Sequence, residues 1–353
     1  MADYTKKVKI GNITIGGGSP IAIQSMLNVR ADDVEGSVKQ AKALQQAGCE
    51  IIRAAVPTVE DAKLIYALKC AVDMPVVADI HFDYKIALAA IDAGVDKIRI
   101  NPGNIGSDDR VKAVADKCRE KGVPIRIGVN SGSVEKSILA KYGTVTADAL
   151  VDSAMYHAKL LEKFDFDDIV LSMKASDVQL MNDAYKKAAT LTKYPLHLGV
   201  TEAGTERMGL IKSAAGIGGL LLNGIGDTIR VSLTDEPVKE ISAARDILKA
   251  IGLRKTGANI VCCPTCGRTK IDLISLAHRV EDELQNYNGK PITVAVMGCA
   301  VNGPGEAREA DFGVAGGDGE GIVFRKGEII RKVPETKLFD ELMKEINEFN
   351  GKE

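Results

Sequence analysis

The sequence contains no tryptophan, and only 4% of its residues are aromatic. That leaves little for stacking nucleic-acid bases on aromatic platforms. No charge sign dominates either: 46 Lys and Arg face 48 Asp and Glu, a formal net charge of −2. This balance supplies no basic field for a phosphate backbone. No apolar run reaches the roughly 18 residues of a membrane span. The richest, "AAGIGGLLLNGIG" at 214–226, is short and broken by glycine. The opening "MADYTKKVKIGNITIGG" lacks the apolar stretch of a secretory signal. These absences predict a cytoplasmic protein with neither nucleic acid nor membrane as partner. Disulfides are rare in that compartment, so the seven cysteines need another account. Cys49, Cys70 and Cys118 read as small buried hydrophobes on strand and helix faces. The other four cysteines cluster beyond residue 260.

What is present is a regular beat. A length of 353 residues suits one large domain and one small one. From about residue 20 to 250, short β-rich runs alternate with helix-patterned stretches. The strand candidates are 21–26, 50–56, 75–80, 96–101, 124–130, 168–173, 196–201 and 227–233. The intervening "DVEGSVKQAKALQQAG" has apolar spacing near 3.6 residues and ends on Gly48, a helix-stop signal. Eight such βα units predict an α/β chain whose residues 1–251 form a (β/α)8 TIM barrel, a fold of typically about 250 residues. A doubly wound sheet normally has fewer strands. "KVKIGNITIGG" reads as a hairpin turning at Gly11-Asn12. The beat stops near Gly252. Residues 252–257 read as a linker, and 258–353 as a small α+β domain. Its expected parts are a cysteine loop, a helix over 271–286, a strand "ITVAVMG", a Gly-rich stretch, a hairpin and a last helix.

In such a barrel the active site lies at the C-terminal strand ends. Here those ends carry Arg53, Asp79 and His81, Arg99 and Asn101, Arg126 and Asn130, Ser172 and Lys174, Thr201 and Glu202, and Arg230 and Ser232. An arginine inside an apolar strand is costly without an anionic partner. One such arginine is most simply explained by a structural acid. Arg53, Arg99, Arg126 and Lys174 at equivalent ends point instead to a multiply charged anion, most simply a phosphate or diphosphate. Asp79, Asn101, Asn130 and Glu202 then read hydroxyls or move protons, although either carboxylate also suits an ion pair with the arginines.

The C-terminal domain opens on "CCPTCGR" at 262–268. The Cys263-x2-Cys266 spacing fits zinc, an iron–sulfur cluster or a dithiol. Cys299, in "MGCAVNGPGEA", is the third thiol. No fourth cysteine lies nearby. His278 sits mid-helix among apolar residues. Glu306 follows the turn-forming "NGPG" and is the better fourth ligand, the alternative being a solvated loop carboxylate. Three thiolates and one carboxylate suit a [4Fe-4S] cluster whose fourth iron has an exchangeable oxygen ligand. Cys262 diverges from its neighbour in an extended loop and reads as a bystander.

The helix after the eighth strand runs antiparallel to the strands and ends at the face opposite the mouth. With a short linker, the second domain is not expected to cap its own barrel. A head-to-tail homodimer follows as an expectation.

The motifs "QSM", "VADIHFD", "KIRINPGNIG", "IRIGVNSGS", "LHLGVTEAG", "CPTCGR" and "GCAVNGPGEA" resemble those of the bacterial 4-hydroxy-3-methylbut-2-en-1-yl diphosphate synthases. The resemblance spans essentially the whole chain. It departs at "LNVRADD" after "QSM" and at Cys262, where the family carries Ser. It implies reductive ring opening and dehydration of 2-C-methyl-D-erythritol 2,4-cyclodiphosphate in isoprenoid synthesis, with ferredoxin or flavodoxin as the electron donor. It further implies Cys263, Cys266, Cys299 and Glu306 as cluster ligands, and Glu202 as the barrel acid/base. Arg53, Arg99, Arg126 and Lys174 are then expected around the diphosphate, with Asp79, Asn101, Asn130, Thr201 and Ser232 also contacting substrate. A head-to-tail dimer is implied as well. The competing readings are a phosphate-binding barrel synthase with a structural zinc appendage, and a zinc module that mediates partner contacts.

Overall fold

The computed structural model describes residues 5–285, 287, 289–299 and 307–350. The chain divides into two compact units, one ending at Ile251 and the other beginning at Gly252. The first opens with an antiparallel hairpin of β1 (Val8–Ile10) and β2 (Ile13–Ile15), turning at Gly11 with φ 56°. Eight parallel strands follow: β3 (Ala22–Met26), β4 (Ile51–Ala55), β5 (Val76–Asp79), β6 (Lys97–Ile100), β7 (Ile125–Asn130), β8 (Ile169–Lys174), β9 (His197–Leu198) and β10 (Thr228–Ile229). Their order is β8-β7-β6-β5-β4-β3-β10-β9. A parallel bridge between Leu171 and Leu196 joins the two ends of this sheet, which closes the expected barrel.

Helices between the strands cover the outside. Val34–Gln46 is capped by the Asp33 side chain, which accepts from Gly36 N, and Ala147–Glu162 is capped in the same way by Thr146. Capping of this kind satisfies helix N–H groups that have no partner within the helix. The last two strands are shorter than their apolar runs suggest, at two residues each. Beyond them the chain leaves the sheet early, so Thr201, Glu202, Arg230 and Ser232 lie on loops. Cys49 and Cys118 are buried as expected. Cys70 is exposed instead, because the helix Ala62–Ala71 turns Leu64, Ile65 and Leu68 inward.

The hairpin has a definite seat. Val8, Ile10 and Ile15 share one apolar cluster with Ala22, Ile51, Val77 and Val170. Those four lie at or near the N-terminal ends of their strands. The Asn12 side chain also donates to Asp73 O, at 3.3 Å, just ahead of β5. The hairpin therefore plugs the bottom of the barrel.

The second unit holds a five-stranded mixed sheet of β11 (Ala258–Cys262), β12 (Ile292–Met297), β13 (Phe312–Gly316), β14 (Glu320–Arg325) and β15 (Glu328–Pro334), in that order. β11, β12 and β13 run parallel, and the last two pair antiparallel. The helices Leu273–Leu284 and Leu338–Asn350 contribute Leu276, Val280, Leu342 and Ile346 to its core. The central strand β13 falls where only a Gly-rich stretch is legible in the sequence. Its glycines answer to packing: a Cβ on Gly313 would lie 2.3 Å from the Phe324 ring, and one on Gly316 would lie 2.7 Å from Ile271.

Ile10 is fully buried in the plug. Ile10→Ala should lower the stability of the barrel unit by about 2–5 kcal/mol, read from urea unfolding by circular dichroism.

Candidate active site

Residues paired across parallel strands share a face. The register pairs Arg53 with Val77, Asp79 with Arg99, and Arg99 with Arg126. Val77 points into the barrel against the hairpin plug, so Arg53, Asp79, Arg99 and Arg126 also point inward.

Asp79 is the anionic centre of this group. It accepts from Arg53 at 2.5 Å, and Arg99 Nη1 lies 3.3 Å from its other oxygen. His81 Nε2 lies 3.5 Å from Asp79 and 3.2 Å from Arg99 Nη1. Burial alone would raise the Asp79 carboxyl pKa. Arg53, His81 and Arg99 outweigh that effect and hold it far below the usual carboxylate range. Arg99 also donates to Gly128 O at 3.0 Å. A Cβ at position 128 would lie 2.3 Å from Arg99 Nε, and one at 199 would lie 2.9 Å from Lys174 Nζ. Both glycines therefore leave room for long cationic side chains inside the barrel.

The positive charge exceeds the negative. Arg126 is 1% exposed, and its Nε and Nη1 have no hydrogen-bond partner among the described residues. Burial, Arg53 and Arg99 all disfavour its charge, yet a guanidinium does not give up its proton. Lys174 is buried too. Its pKa is lowered by burial first and then by Arg126, Arg230, Arg53 and Arg99. Arg230 differs, because Glu240 faces it at 3.3 Å and also accepts from Ser25. Three cations around one carboxylate, with Lys174 beside them, leave a surplus of positive charge whose chemistry suits an anion carrying more than one charge.

The other expected residues take several positions. Asn101 is buried. Its Oδ1 accepts from Gly103 N at 3.3 Å, while its Nδ2 has no partner among the described residues. Asn130 ends β7 opposite Lys174. Glu202 is exposed, with a positive φ of 51°, and Thr201 and Ser232 are half-buried on loops. The structure thus joins Arg53, Asp79, Arg99 and Arg126 with Lys174 in one charged group, whereas Thr201, Glu202 and Ser232 stand on loops after the strands. Lys97, Gln24 and His197 also point into the barrel, and sequence reasoning missed all three. The signal was available, since Lys97 lies two residues before Arg99 and shares its face.

In the second unit, Cys263 follows β11, and Cys299 follows the neighbouring parallel strand β12. Cys263 Sγ accepts from Gly298 N at 3.1 Å. The loop returns through Thr269 N to Cys266 O and through Lys270 N to Gly298 O, both at 3.0 Å. Hydrogen bonding from Arg268 lowers the Cys266 thiol pKa and favours the thiolate, the form that ligates metals. Cys262 lies within the strand, and burial raises its pKa. His278 is exposed beside Glu281. Among the described residues no group of three or more His, Cys, Asp or Glu side chains is arranged to hold a metal ion. Glu306 lies outside the described residues. The three thiols are soft donors, and their chemistry fits an iron–sulfur group.

Two family models cover this chain. The GcpE TIM-barrel domain matches residues 5–245, and the GcpE protein C-terminal domain matches 259–348. The chain belongs to the GcpE family. Among its relatives, a protein of Fusobacterium nucleatum is 58% identical over 348 residues, covering 99% of this chain and 98% of that one. One of Clostridium perfringens is 59% identical over 342 residues, covering 97% and 98%. Both are named 4-hydroxy-3-methylbut-2-en-1-yl diphosphate synthase (flavodoxin). Among solved structures, a 7,8-dihydropteroate synthase of Vibrio fischeri superposes with a TM-score of 0.52 at 14% identity, covering 70% of this chain and 98% of that one. At that identity the GcpE chain shares with it the barrel fold alone.

Gly128→Ala should push Arg99 off Asp79 and the Gly128 carbonyl while leaving the barrel folded. Loss of one charge-assisted contact of about 1.5–3 kcal/mol corresponds to roughly 10- to 140-fold weaker binding of inorganic diphosphate, read by calorimetry.

Proposed function

We propose that this protein is a 4-hydroxy-3-methylbut-2-en-1-yl diphosphate synthase. It opens and dehydrates 2-C-methyl-D-erythritol 2,4-cyclodiphosphate with two electrons to give the linear allylic diphosphate. The observation that carries the reading is identity of 58–59% to chains of that name along both units. The cationic barrel mouth, with its shortage of carboxylates, supports it from the chemistry side.

Arg53, Arg99, Arg126 and Lys174 bind the diphosphate. Asp79 fixes Arg53 and Arg99 in place, so their donors are oriented before the substrate arrives. Asn101, Asn130, Thr201 and Ser232 contact the remaining oxygens. Glu202 stands on the loop after β9 and handles the proton. Cys263, Cys266, Cys299 and Glu306 hold a [4Fe-4S] cluster. When bound, that cluster would relay the two electrons to the substrate. Flavodoxin or ferredoxin delivers the electrons. No described helix is long and apolar enough to cross a membrane, and we place the enzyme in the cytoplasm. Residues 1–251 form the substrate domain and 258–353 the cluster domain, with 252–257 as linker. The functional particle is a head-to-tail dimer.

Anaerobic purification with iron and sulfide analysis tests this reading. Four irons and four sulfides per chain are expected for a [4Fe-4S] cluster. A colourless protein loaded with zinc overturns the reading and favours a structural zinc site. Cys263→Ser should abolish the iron content, whereas Cys262→Ser should leave it intact. Glu306→Ala should keep most of the iron and lose nearly all turnover.

A further inference from the structure

Beneath the mouth lies a belt of polar side chains that the proposed reaction does not use. Gln24, Lys97 and His197 point into the barrel, and all are at most 1% exposed. Both amide atoms of Gln24, Nζ of Lys97 and Nε2 of His197 have no hydrogen-bond partner among the described residues. His197 Nδ1 is engaged with Thr228 Oγ1 at 2.8 Å. Beside these side chains, the hairpin and the strand-end residues Ile51, Val77 and Val170 form an apolar seal at the barrel floor.

Lys97 is the telling member. Among the described residues, the charged and titratable groups around it are Arg99 on its own strand, Arg53 on β4, Arg126 on β7 and His197 on β9. The carboxylate on the adjacent strand β5 is Asp79, already engaged with Arg53 and Arg99. A buried ammonium with no acceptor and cationic neighbours is strongly disfavoured. Burial first, then Arg126 and Arg53, lowers the pKa of this amine. A diphosphate at the mouth would offset the positive charge of Arg53, Arg99 and Arg126 that disfavours the ammonium.

We propose that Lys97 is a proton acceptor coupled to anion binding: the amine is neutral in the empty barrel and takes one proton from solvent when a diphosphate seats on Arg53, Arg99 and Arg126 above it. The inference rests on reading the mouth as a diphosphate site. No electrons move. The ammonium gains a proton from water, and that charge stays in the barrel while the anion is bound. Lys97 is thus a positioning residue that adds positive charge beneath the site only when it is filled.

The test is calorimetry of inorganic diphosphate binding to the full chain at one pH, in two buffers of different ionisation enthalpy. The heat difference reports net proton uptake. The wild type should take up about one proton more than Lys97→Met, which keeps the side-chain volume but cannot titrate. Equal uptake in the two proteins overturns the proposal and leaves the mouth reading standing. If diphosphate fails to bind the wild type, both fall.

A second measurement needs no ligand. With the folded-state pKa of Lys97 below its unfolded value of about 10.4, the unfolded chain binds the extra proton. Wild-type stability should therefore rise with pH between the two values, by one proton's slope more than that of Lys97→Met. Parallel stability curves overturn the proposal. Lys97→Gln serves the same comparisons if the methionine variant does not fold.

Discussion

The barrel mouth depends on one carboxylate held between two guanidinium groups. Asp79 sits on β5 with Arg53 on one neighbouring strand and Arg99 on the other. Without it, two buried cations would repel each other with nothing to orient them. With it, each guanidinium spends some of its donors on the carboxylate and keeps its direction. One negative charge cannot balance Arg53, Arg99 and Arg126 together, and the Nε and Nη1 of Arg126, without a partner among the described residues, mark what is left over. The pairing is therefore a scaffold that preserves a surplus. The folded protein carries the electrostatic cost so that a suitable anion gains the benefit.

That arrangement also dictates where side chains must be missing. Arg99 and Lys174 extend into the barrel, and the inner positions they pass, Gly128 and Gly199, have no room for a Cβ. The same logic governs the second unit, where Gly313 makes way for the Phe324 ring. In both units glycine serves a neighbour's shape rather than its own backbone freedom.

Much of the barrel was legible because its signal is periodic. Apolar strands and amphipathic helices repeat along the chain, and the polar residues at strand ends stand out against apolar runs. Lys97 was missed because it opens its strand, where a lysine looks like a solvated end. Its spacing from Arg99 places it on the inner face, and the pairing with Val77 bears this out. β13 was missed because glycine counts against a strand until its packing partners are known. The two short strands β9 and β10 were overextended because their apolar runs continue as buried loop. The two cysteine motifs could be read separately, but their approach depends on parallel pairing of β11 with β12 across some thirty residues. Residue pattern alone does not encode that register.

The hairpin plug has a consequence beyond stability. By closing the floor it makes the barrel a cul-de-sac, with a single doorway for everything that enters or leaves. A molecule seated at that doorway stands between the interior and bulk solvent. The proton that Lys97 gains has to pass the mouth as the anion arrives, and it leaves by the same way when the anion departs. A through-channel would let that proton come and go from below. A sealed floor ties the charge of the chamber to the occupancy of the mouth above it.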